Sequence, residues 1–266
     1  MISIKDYVEN RKAQIKDEVS KLTIKPKLVI VQVGNVEASN RYVKNKMKDC
    51  AECGIPCELI HLDETITEAE LLSTIIDLNN NPTVTGFIVQ LPLPKHIRES
   101  IVIEAIDPKK DVDGFSKLAL VSPGTPQGVI DFLDFNNIDY TDKNAVVIGR
   151  SNIVGKPMAK LLLEKNCNVV QLHSKTSEEN KRKFLKEADL IVVAVGHRNI
   201  IDTSYELKPS CIIMDIGMNI NDEGKLCGDV EQDLPVYFKS PTPGGSGLLT
   251  RLALITNLIK LYKLQN

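Results

Sequence analysis

The sequence NAVVIGRSNIVGKPMAKLLL at residues 144–163 constrains the fold more than any other stretch. The apolar run at 145–148 has the length of a buried parallel strand and is too short for a helix. Gly149 ends the run, Gly155 lets the backbone approach a ligand closely, and Pro157 suits the first turn of a helix. This order places the unpaired N–H groups of a helix N-terminus beside a glycine loop, which predicts a phosphate-binding site. Because the spacing is not G-x-G-x-x-G, an ordinary turn between a strand and a helix stays an alternative.

The residues after this loop favour the phosphate-binding interpretation. Further buried strands are predicted at residues 168–173, 190–195 and 211–216. In dinucleotide-binding folds, an acidic residue at the end of the second strand selects a free ribose 2′-hydroxyl, whereas a cation accommodates a 2′-phosphate. Ser174 and Lys175 stand at that position, and Arg150 lies in the loop. These residues indicate NADP rather than NAD, although two solvated cations would leave the same pattern.

The length and charge of the chain exclude some classes of partner. The 266 residues suffice for two modest domains, and a formal net charge of -2 gives no reason to expect nucleic acid or an anionic membrane surface. Residues 1–19 carry no signal-peptide core, and no apolar run approaches the ~20 residues that span a bilayer. The spacing of the 6 cysteines lacks a second zinc-ligand pair, so we expect reduced thiols in a cytoplasmic protein and no metal site.

The first half of the chain alternates helices and strands. Helices are predicted at residues 5–21, 38–53 and 67–79, and strands at residues 27–33, 56–62 and 84–89. Thr67 and Glu70 are spaced as a capping box at the start of the third helix. This succession predicts a small α/β domain with its own sheet.

Two later helices define the predicted domain boundaries. Thr125 is expected to cap a helix that begins at Pro126, and an apolar helix at 248–264 is expected to return to the first domain. We therefore predict an α/β protein of two domains. The first domain comprises residues 1–120 plus 246–266, and the second, which is Rossmann-like, comprises residues 121–245.

A tyrosine and a lysine in the first half are candidates for chemistry. Tyr42 and Lys46 lie four residues apart on the helix predicted at 38–53 and therefore share one face. Lys44 and Lys48 extend the positive charge, so a solvated helix face explains this segment better when it is taken alone. Short-chain dehydrogenases also use Tyr-x-x-x-Lys, but there the pair follows the nucleotide loop within one domain, whereas here it precedes the loop in the other domain.

Five short motifs occur in order along the chain: ASNRYVKNK at 38–46, VQLPLP at 89–94, KKDVDGF at 109–115, GRSNIVGKP at 149–157 and PTPGGSG at 241–247. Together, these motifs closely resemble those of the bifunctional methylenetetrahydrofolate dehydrogenase/methenyltetrahydrofolate cyclohydrolase family, often called FolD. Their order and spacing match the family over essentially the whole chain.

The resemblance implies a fold and an activity. The fold would be two α/β domains with a cleft between them, the second domain a Rossmann-like NADP-binding domain, in a homodimer joined through these NADP-binding domains. The activity would be oxidation of 5,10-methylenetetrahydrofolate to 5,10-methenyltetrahydrofolate with NADP, followed by hydrolysis of the product to 10-formyltetrahydrofolate, without a metal. This activity would belong to tetrahydrofolate interconversion in one-carbon metabolism, which serves purine, methionine and histidine biosynthesis.

The resemblance also implies roles for individual residues. Lys46 matches the catalytic lysine, and Tyr42 matches the tyrosine beside it over the pterin. Gln90 matches the glutamine that contacts this lysine, and Asp113 matches the aspartate that anchors the pterin ring. The residues assigned to the cofactor are Gly149, Arg150 and Ser151 in the loop, Ser174 and the adjoining Lys175 at the ribose phosphate, and Met218 near the nicotinamide. The residues assigned to the folate-binding lining, besides those above, are Val89, Leu91, Pro243, Gly244 and Gly247.

The chain departs from the family pattern near the substrate site. Gly124 stands where the family usually has Cys. Thr242, Ser246 and Leu248 differ from the usual PVPGGVGPMT sequence, and we expect them to alter folate affinity more than reaction type. Two alternatives stay open: a two-domain NADP dehydrogenase that acts on shikimate or an amino acid, and a non-catalytic NADP-binding sensor on the same scaffold.

Overall fold

The computed structural model describes residues 1–266 apart from the side chain of Ala38, the first residue of the ASNRYVKNK motif, which lies outside the described residues. The helices are α1 (Ile4–Ser20), α2 (Glu37–Glu52), α3 (Glu68–Asn80), α4 (Glu99–Glu104), α5 (Gly124–Phe135), α6 (Gly155–Glu164), α7 (Glu178–Lys186) and α8 (Ser246–Gln265). The strands are β1 (Leu28–Val33), β2 (Cys57–Leu62), β3 (Gly86–Val89), β4 (Asn144–Ile148), β5 (Asn168–Leu172), β6 (Leu190–Val193), β7 (Ile212–Asp215), β8 (Asn219–Ile220), β9 (Leu226–Cys227) and β10 (Phe238–Lys239). Within the described part of the chain, none of these helices combines the length and apolar character that crossing a membrane requires.

The chain divides into two compact units, each built from two segments. The first unit comprises Glu9–Gly124 and Arg251–Asn266, and the second unit comprises Met1–Val8 and Thr125–Thr250. The predicted boundaries instead place residues 1–8 and 246–250 in the first domain and residues 121–124 in the second. Within the second unit, the ring of Tyr7 packs against Phe132 and Phe135 of α5, with centroid separations of 5.4 and 5.0 Å. These aromatic contacts explain why the N-terminal residues group with α5.

A three-stranded parallel sheet in the order β2-β1-β3 forms the centre of the first unit. All 6 residues of the β1 run LVIVQV are buried, as expected for a central parallel strand. A further segment runs beside β3, because Phe87 and Asp111 form a parallel bridge and Phe87 N donates to Lys110 O at 2.9 Å. The chain after Asp111 therefore continues toward the same edge of the sheet as the end of β3.

Side-chain hydrogen bonds fix two of the helices around this sheet. The predicted capping box starts α3: Thr67 Oγ1 accepts from Glu70 N at 3.2 Å, and Glu70 Oε2 accepts from Thr67 N at 2.9 Å. On α8, the buried Asn257 donates through Nδ2 to Val112 O and to Ser122 O, both at 3.0 Å. The C-terminal part of α8 is thereby hydrogen-bonded to the segment that follows Asp111.

The second unit contains a five-stranded parallel sheet in the order β10-β7-β6-β4-β5. β4 lies between β6 and the edge strand β5, and this all-parallel order is typical of a Rossmann-like sheet whose ligand binds at the carboxyl edge. The sequence did not predict β10 or the antiparallel pair of β8 and β9. Each of these strands has only 2 residues, which is too short for a periodic pattern.

The predicted start of α5 is wrong by two residues. The helix begins at Gly124, so Thr125 and Pro126 lie in its first turn and Thr125 does not cap it. Thr125 Oγ1 lies 2.9 Å from Thr250 Oγ1 instead. One turn later, a Cβ at Gly128 would overlap the backbone of Leu249. Close packing of α5 on residues 249–250 within the second unit therefore overrides the Thr-Pro start signal.

Candidate active site

Lys46 and Gln90 form the centre of a polar cluster in the first unit. Lys46 is only 9 % exposed, and its Nζ donates to Gln90 Oε1 at 3.1 Å. Gln90 follows β3 directly, and its N donates to Val31 O at 2.8 Å, which continues the sheet by one residue. Gln90 Nε2 donates to Leu91 O at 2.7 Å, so the amide is oriented with its oxygen toward the lysine. Tyr42 lies one turn before Lys46 on α2.

The loop that carries Asp113 is shaped by its buried neighbour Asp111. Asp111 is 1 % exposed, and its carboxylate accepts from Gly114 N at 2.9 Å and from Ser116 N at 2.8 Å. Gly114 has a φ of 69°, and a Cβ there would lie 2.6 Å from Val121 O, so this turn requires glycine. The turn fixes the backbone from which Asp113 projects. Asp111 is not predicted from the sequence, because a carboxylate that binds nearby backbone N–H groups leaves no periodic pattern.

The charges of this cluster act on one another. Burial raises the pKa of Asp113 above its ordinary value, the positive charge of Lys46 opposes this rise, and Asp111 adds to it. Burial also raises the pKa of Tyr42, against the positive charge of Arg251. Lys46 and Asp113 are therefore close enough to interact electrostatically. Such a cluster can pair a carboxylate with the N–H donors of a ligand and move protons through an amine.

The residues predicted to line the folate site fall into both units. Val89 and Leu91 flank Gln90 in the first unit, where Val89 is buried and Leu91 packs against the hydrophobic core. Pro243, Gly244 and Gly247 belong to the second unit, at and just before the start of α8.

The loop between β4 and α6 has the form that its sequence predicts. Gly149 has a φ of 122°, and a Cβ at Gly155 would overlap the backbone of Gly149. Ser151 Oγ accepts from Val154 N at 3.2 Å and from Gly155 N at 3.3 Å, which holds the loop against the start of α6. The positive end of the α6 dipole therefore faces a tight glycine loop, which is an arrangement that binds phosphate.

A cavity of about 560 Å³ opens beside this loop in the second unit. The predicted cofactor residues that line it are Gly149, Arg150, Ser151 and Ser174. Among the lining residues in the described part of the chain, Lys175 and Met218 do not occur. Glu178, which is not predicted from the sequence, lines the same cavity. Its carboxylate accepts from Tyr205 Oη at 2.6 Å and lies 3.1 Å from Arg182 Nε, so its charge is partly compensated.

A second cavity, of about 650 Å³, lies at the carboxyl edge of the sheet in the first unit. Residues that follow each of the three strands line it, including Gly34, Glu64 and Pro92. Of the residues that the structure describes, the lining contains none of the four predicted catalytic residues. This cavity is not predicted from the sequence, because it is formed by loops that are distant along the chain.

Two family descriptions match nearly the whole chain. Residues 2–113 match the catalytic domain of tetrahydrofolate dehydrogenase/cyclohydrolase, and residues 123–266 match its NAD(P)-binding domain. A parallel-sheet unit with a lysine and carboxyl cluster, together with a Rossmann-like unit that has a phosphate-binding loop, defines a two-domain, nucleotide-dependent enzyme. The chain belongs to the tetrahydrofolate dehydrogenase/cyclohydrolase family.

Individual relatives agree with this assignment. The bifunctional protein FolD of Bacillus thuringiensis (strain Al Hakam) is 42% identical over 97% of this chain and 94% of its own length. The crystal structure of FolD from Campylobacter jejuni has a TM-score of 0.95 at 37% identity, covering 99% of this chain and 98% of that one. FolD from Trypanosoma brucei, solved with NADP cofactor and an inhibitor, has a TM-score of 0.91 at 25% identity, covering 100% and 97%. The predicted family and two-domain α/β fold are confirmed.

The close approach at Gly155 yields a test of the phosphate loop. In Gly155→Ala, the new Cβ would overlap the backbone of Gly149, so the loop must widen. We expect the dissociation constants of NADP⁺ and NAD⁺ to rise together by on the order of tenfold, which corresponds to about 1.4 kcal/mol. Isothermal titration measures both constants.

Lys160→Ala is the matched control, because it changes an exposed side chain later on the same helix. Its affinities should equal those of the wild type. Unchanged affinity in Gly155→Ala would show that the dinucleotide does not bind at this loop.

Proposed function

We propose that this protein oxidises 5,10-methylenetetrahydrofolate to 5,10-methenyltetrahydrofolate with NADP⁺ and hydrolyses the product to 10-formyltetrahydrofolate. The observation that carries the proposal is the hydrogen bond from Lys46 Nζ to Gln90 Oε1 at 3.1 Å. Burial raises the pKa of the Asp113 carboxyl group, and the positive charge of Lys46 also acts on this group and opposes the rise. This cluster lies in the part of the chain that matches the catalytic domain of the family. The proposed folate-binding domain is 1–120 plus 246–266, and the proposed NADP-binding domain is 121–245.

The dehydrogenase reaction is mainly a task of positioning. Bound NADP⁺ accepts a hydride at its nicotinamide ring, and the folate nitrogens stabilise the cation that the substrate becomes. No proton has to leave the folate in this step. The protein therefore has to hold the methylene carbon at the nicotinamide, and a well-oriented pair of reactants needs little further help.

The cyclohydrolase reaction needs a group that moves protons. Water adds to the methenyl carbon and loses a proton, and a proton must then reach the nitrogen that leaves the bridge. Lys46 Nζ is assigned to these transfers. Gln90 acts through Lys46: its fixed amide oxygen accepts from the amine and sets the direction in which it points.

Asp113 anchors the substrate in this proposal. A carboxylate can accept from the amino group and the ring N–H of a pterin at once, as a bidentate pair. Tyr42 covers the ring with its aromatic face, since it lies one turn from Lys46 on the same helix. Val89, Leu91, Pro243, Gly244 and Gly247 complete the proposed folate lining.

The cofactor assignment follows the loop after β4. Gly149 and Ser151 are proposed to bind the pyrophosphate at the start of α6. Arg150, Ser174 and Lys175 supply cationic and hydroxyl groups for the ribose 2′-phosphate, and the backbone of Met218 approaches the nicotinamide. The negative charge of Glu178 is partly compensated by Arg182 and Tyr205, so it repels a phosphate in this cavity less strongly.

The proposal also covers the oligomeric state, the cellular location and the metabolic role of the protein. We propose a homodimer joined through the NADP-binding domains, in the cytoplasm, within tetrahydrofolate interconversion. Neither a dehydrogenase for shikimate or an amino acid nor a non-catalytic sensor needs the combination of Lys46, Gln90 and Asp113. Absorbance of methenyltetrahydrofolate, followed as it forms with NADP⁺ and as it disappears by hydrolysis, tests the proposed function directly.

Lys46→Met separates the two activities, because it keeps the apolar stem and removes the group that carries protons. We expect cyclohydrolase activity to fall ~10²-fold or more, the usual contribution of a general acid–base group. Dehydrogenase activity should fall much less, so methenyltetrahydrofolate accumulates. Both rates are measured by absorbance at saturating substrate.

Lys44→Met serves as the control, because Lys44 is an exposed lysine on the same helix. It should keep both activities. A parallel drop of the two rates in Lys46→Met would mean that Lys46 positions the folate and does not transfer protons.

Arg150→Ala tests the choice of cofactor. Removal of the guanidinium should weaken the binding of NADP⁺ by on the order of tenfold, which is the effect of losing a charge-assisted contact of about 1.4 kcal/mol. The affinity for NAD⁺, which lacks the 2′-phosphate, should fall much less. Titration of both cofactors with the same variant measures the two affinities, and NAD⁺ serves as the control for NADP⁺. Equal losses of affinity would show that Arg150 does not recognise the 2′-phosphate.

The raised pKa of Asp113 predicts the pH dependence of folate binding. The anchoring carboxylate is present above this pKa, so folate affinity is lost as pH falls, beginning at a higher pH than for an ordinary aspartate. In Lys46→Met, the opposing positive charge is gone, and the loss should begin at a still higher pH. Asp113→Asn should raise the folate KM in both reactions and remove this pH dependence, with NADP⁺ affinity unchanged. The measurement is the folate KM over a series of pH values, which should rise as the pH falls. A KM that stays constant with pH in the wild type would contradict the prediction.

A further inference from the structure

Two buried carboxylates in the second unit have no part in the proposed chemistry. Asp215 ends β7 and Asp229 follows β9, and both are 0 % exposed. Burial of a carboxylate is costly unless hydrogen bonds replace its water. The partners of these two groups therefore show what the fold uses them for.

Asp229 binds three successive backbone N–H groups. Its Oδ2 accepts from Val195 N at 2.8 Å and from Gly196 N at 2.9 Å. Its Oδ1 accepts from His197 N at 2.9 Å and from Asn219 Nδ2 at 2.9 Å. All four contacts are donors, so the carboxylate fixes the segment 195–197, which directly follows β6.

Residues 195–197 form a wall of the cavity of about 560 Å³ beside the loop between β4 and α6, which is called the dinucleotide cavity below. Val195 and His197 line that cavity, together with Ala194 and the phosphate loop. Gly149 packs against Ala194, the residue directly before this wall, so closely that a Cβ at Gly149 would overlap Ala194 O. Asp229 itself is not among the lining residues that the structure describes. Its influence on a ligand must pass through the wall.

Asp215 in turn holds the chain that carries Asp229. Asp215 Oδ1 accepts from Asp229 N at 3.0 Å, and Oδ2 accepts from Val230 N at 3.0 Å. Oδ1 also accepts from Gly217 N at 3.0 Å. A Cβ on Gly217 would overlap the Asp229 carboxylate, and a Cβ on Gly228 would overlap that of Asp215. The two carboxylates thus connect the ends of β6 and β7 with close contacts and little free space.

We propose that Asp229 is a positioning residue for the nucleotide cofactor: it holds residues 195–197 in the conformation that forms one wall of the dinucleotide cavity. Asp215 supports this function by fixing the backbone of Asp229. The inference rests on the proposed function only in taking NADP⁺ as the ligand of this cavity.

The amide substitution Asp229→Asn tests this role in the full chain. The amide nitrogen replaces one acceptor with a donor that faces backbone N–H groups, so residues 195–197 must move away. We expect the dissociation constant and the KM for NADP⁺ to rise by on the order of tenfold. At saturating NADP⁺, the dehydrogenase kcat should change less than KM, and cyclohydrolase activity assayed without NADP⁺ should stay at the wild-type level.

The control is Asp233→Asn, which makes the same chemical change at an exposed position nearby and should leave every value unchanged. A merely structural role for Asp229 would lower both activities in proportion and leave the NADP⁺ affinity of the folded protein intact, which would overturn the proposal. Unchanged affinity with both activities retained would overturn it as well.

A second variant is used where Asp229→Asn does not fold. Gly217→Ala presses a methyl group against the Asp229 carboxylate and keeps all its acceptors. Because Gly217 adjoins Met218, hydrogen exchange at the amides of residues 195–197 is measured together with the NADP⁺ dissociation constant. A rise of the constant with faster exchange at these amides supports the proposal, whereas an unchanged constant, or a rise without faster exchange, overturns it. Binding is measured by titration. Loss of the proposed folate chemistry in the wild type would therefore be seen separately from any failure of the Asp229 assignment.

Discussion

Buried carboxylates that bind backbone N–H groups hold the functional loops of both units. Asp111, Asp215 and Asp229 are each at most 1 % exposed, and each accepts from at least two backbone N–H groups. A carboxylate is stable in such a place only while these donors surround it, so the loop must keep the conformation that supplies them. The loop that carries Asp113 and the wall beside Gly149 therefore depend on the same physical constraint.

The cluster of Lys46, Gln90 and Asp113 combines this constraint with the rigidity of regular elements. Lys46 projects from α2 and Gln90 follows β3, so a helix and a parallel strand set the 3.1 Å contact between their side chains. Asp113 projects from the loop that Asp111 shapes. Positions on helices and strands are held more tightly than positions on unsupported loops, and here the single loop-borne group has its own buried support.

The sequence predicted the parts of this structure that local chemistry determines. The apolar runs of β1 and β4, the Thr67 capping box and the glycine loop before α6 all carry short-range patterns, and the family motifs supplied the assignment of Lys46 and Gln90. The roles of Asp111 and Asp229 could not be predicted, because their partners are backbone N–H groups brought near by folding. The predicted start of α5 was wrong for a similar reason: it depends on the packing of Gly128 against Leu249, a residue distant in sequence.

The close contact between Gly149 and Ala194 has an evolutionary consequence. No side chain fits at Gly149 while the loop keeps its shape, and Gly155 is restricted in the same way. Arg150 and Ser174, by contrast, are exposed and can be exchanged without displacing backbone. In the proposed cofactor site, a change of nucleotide preference during evolution would therefore arise by substitution of these two exposed residues, while the glycine loop keeps its sequence.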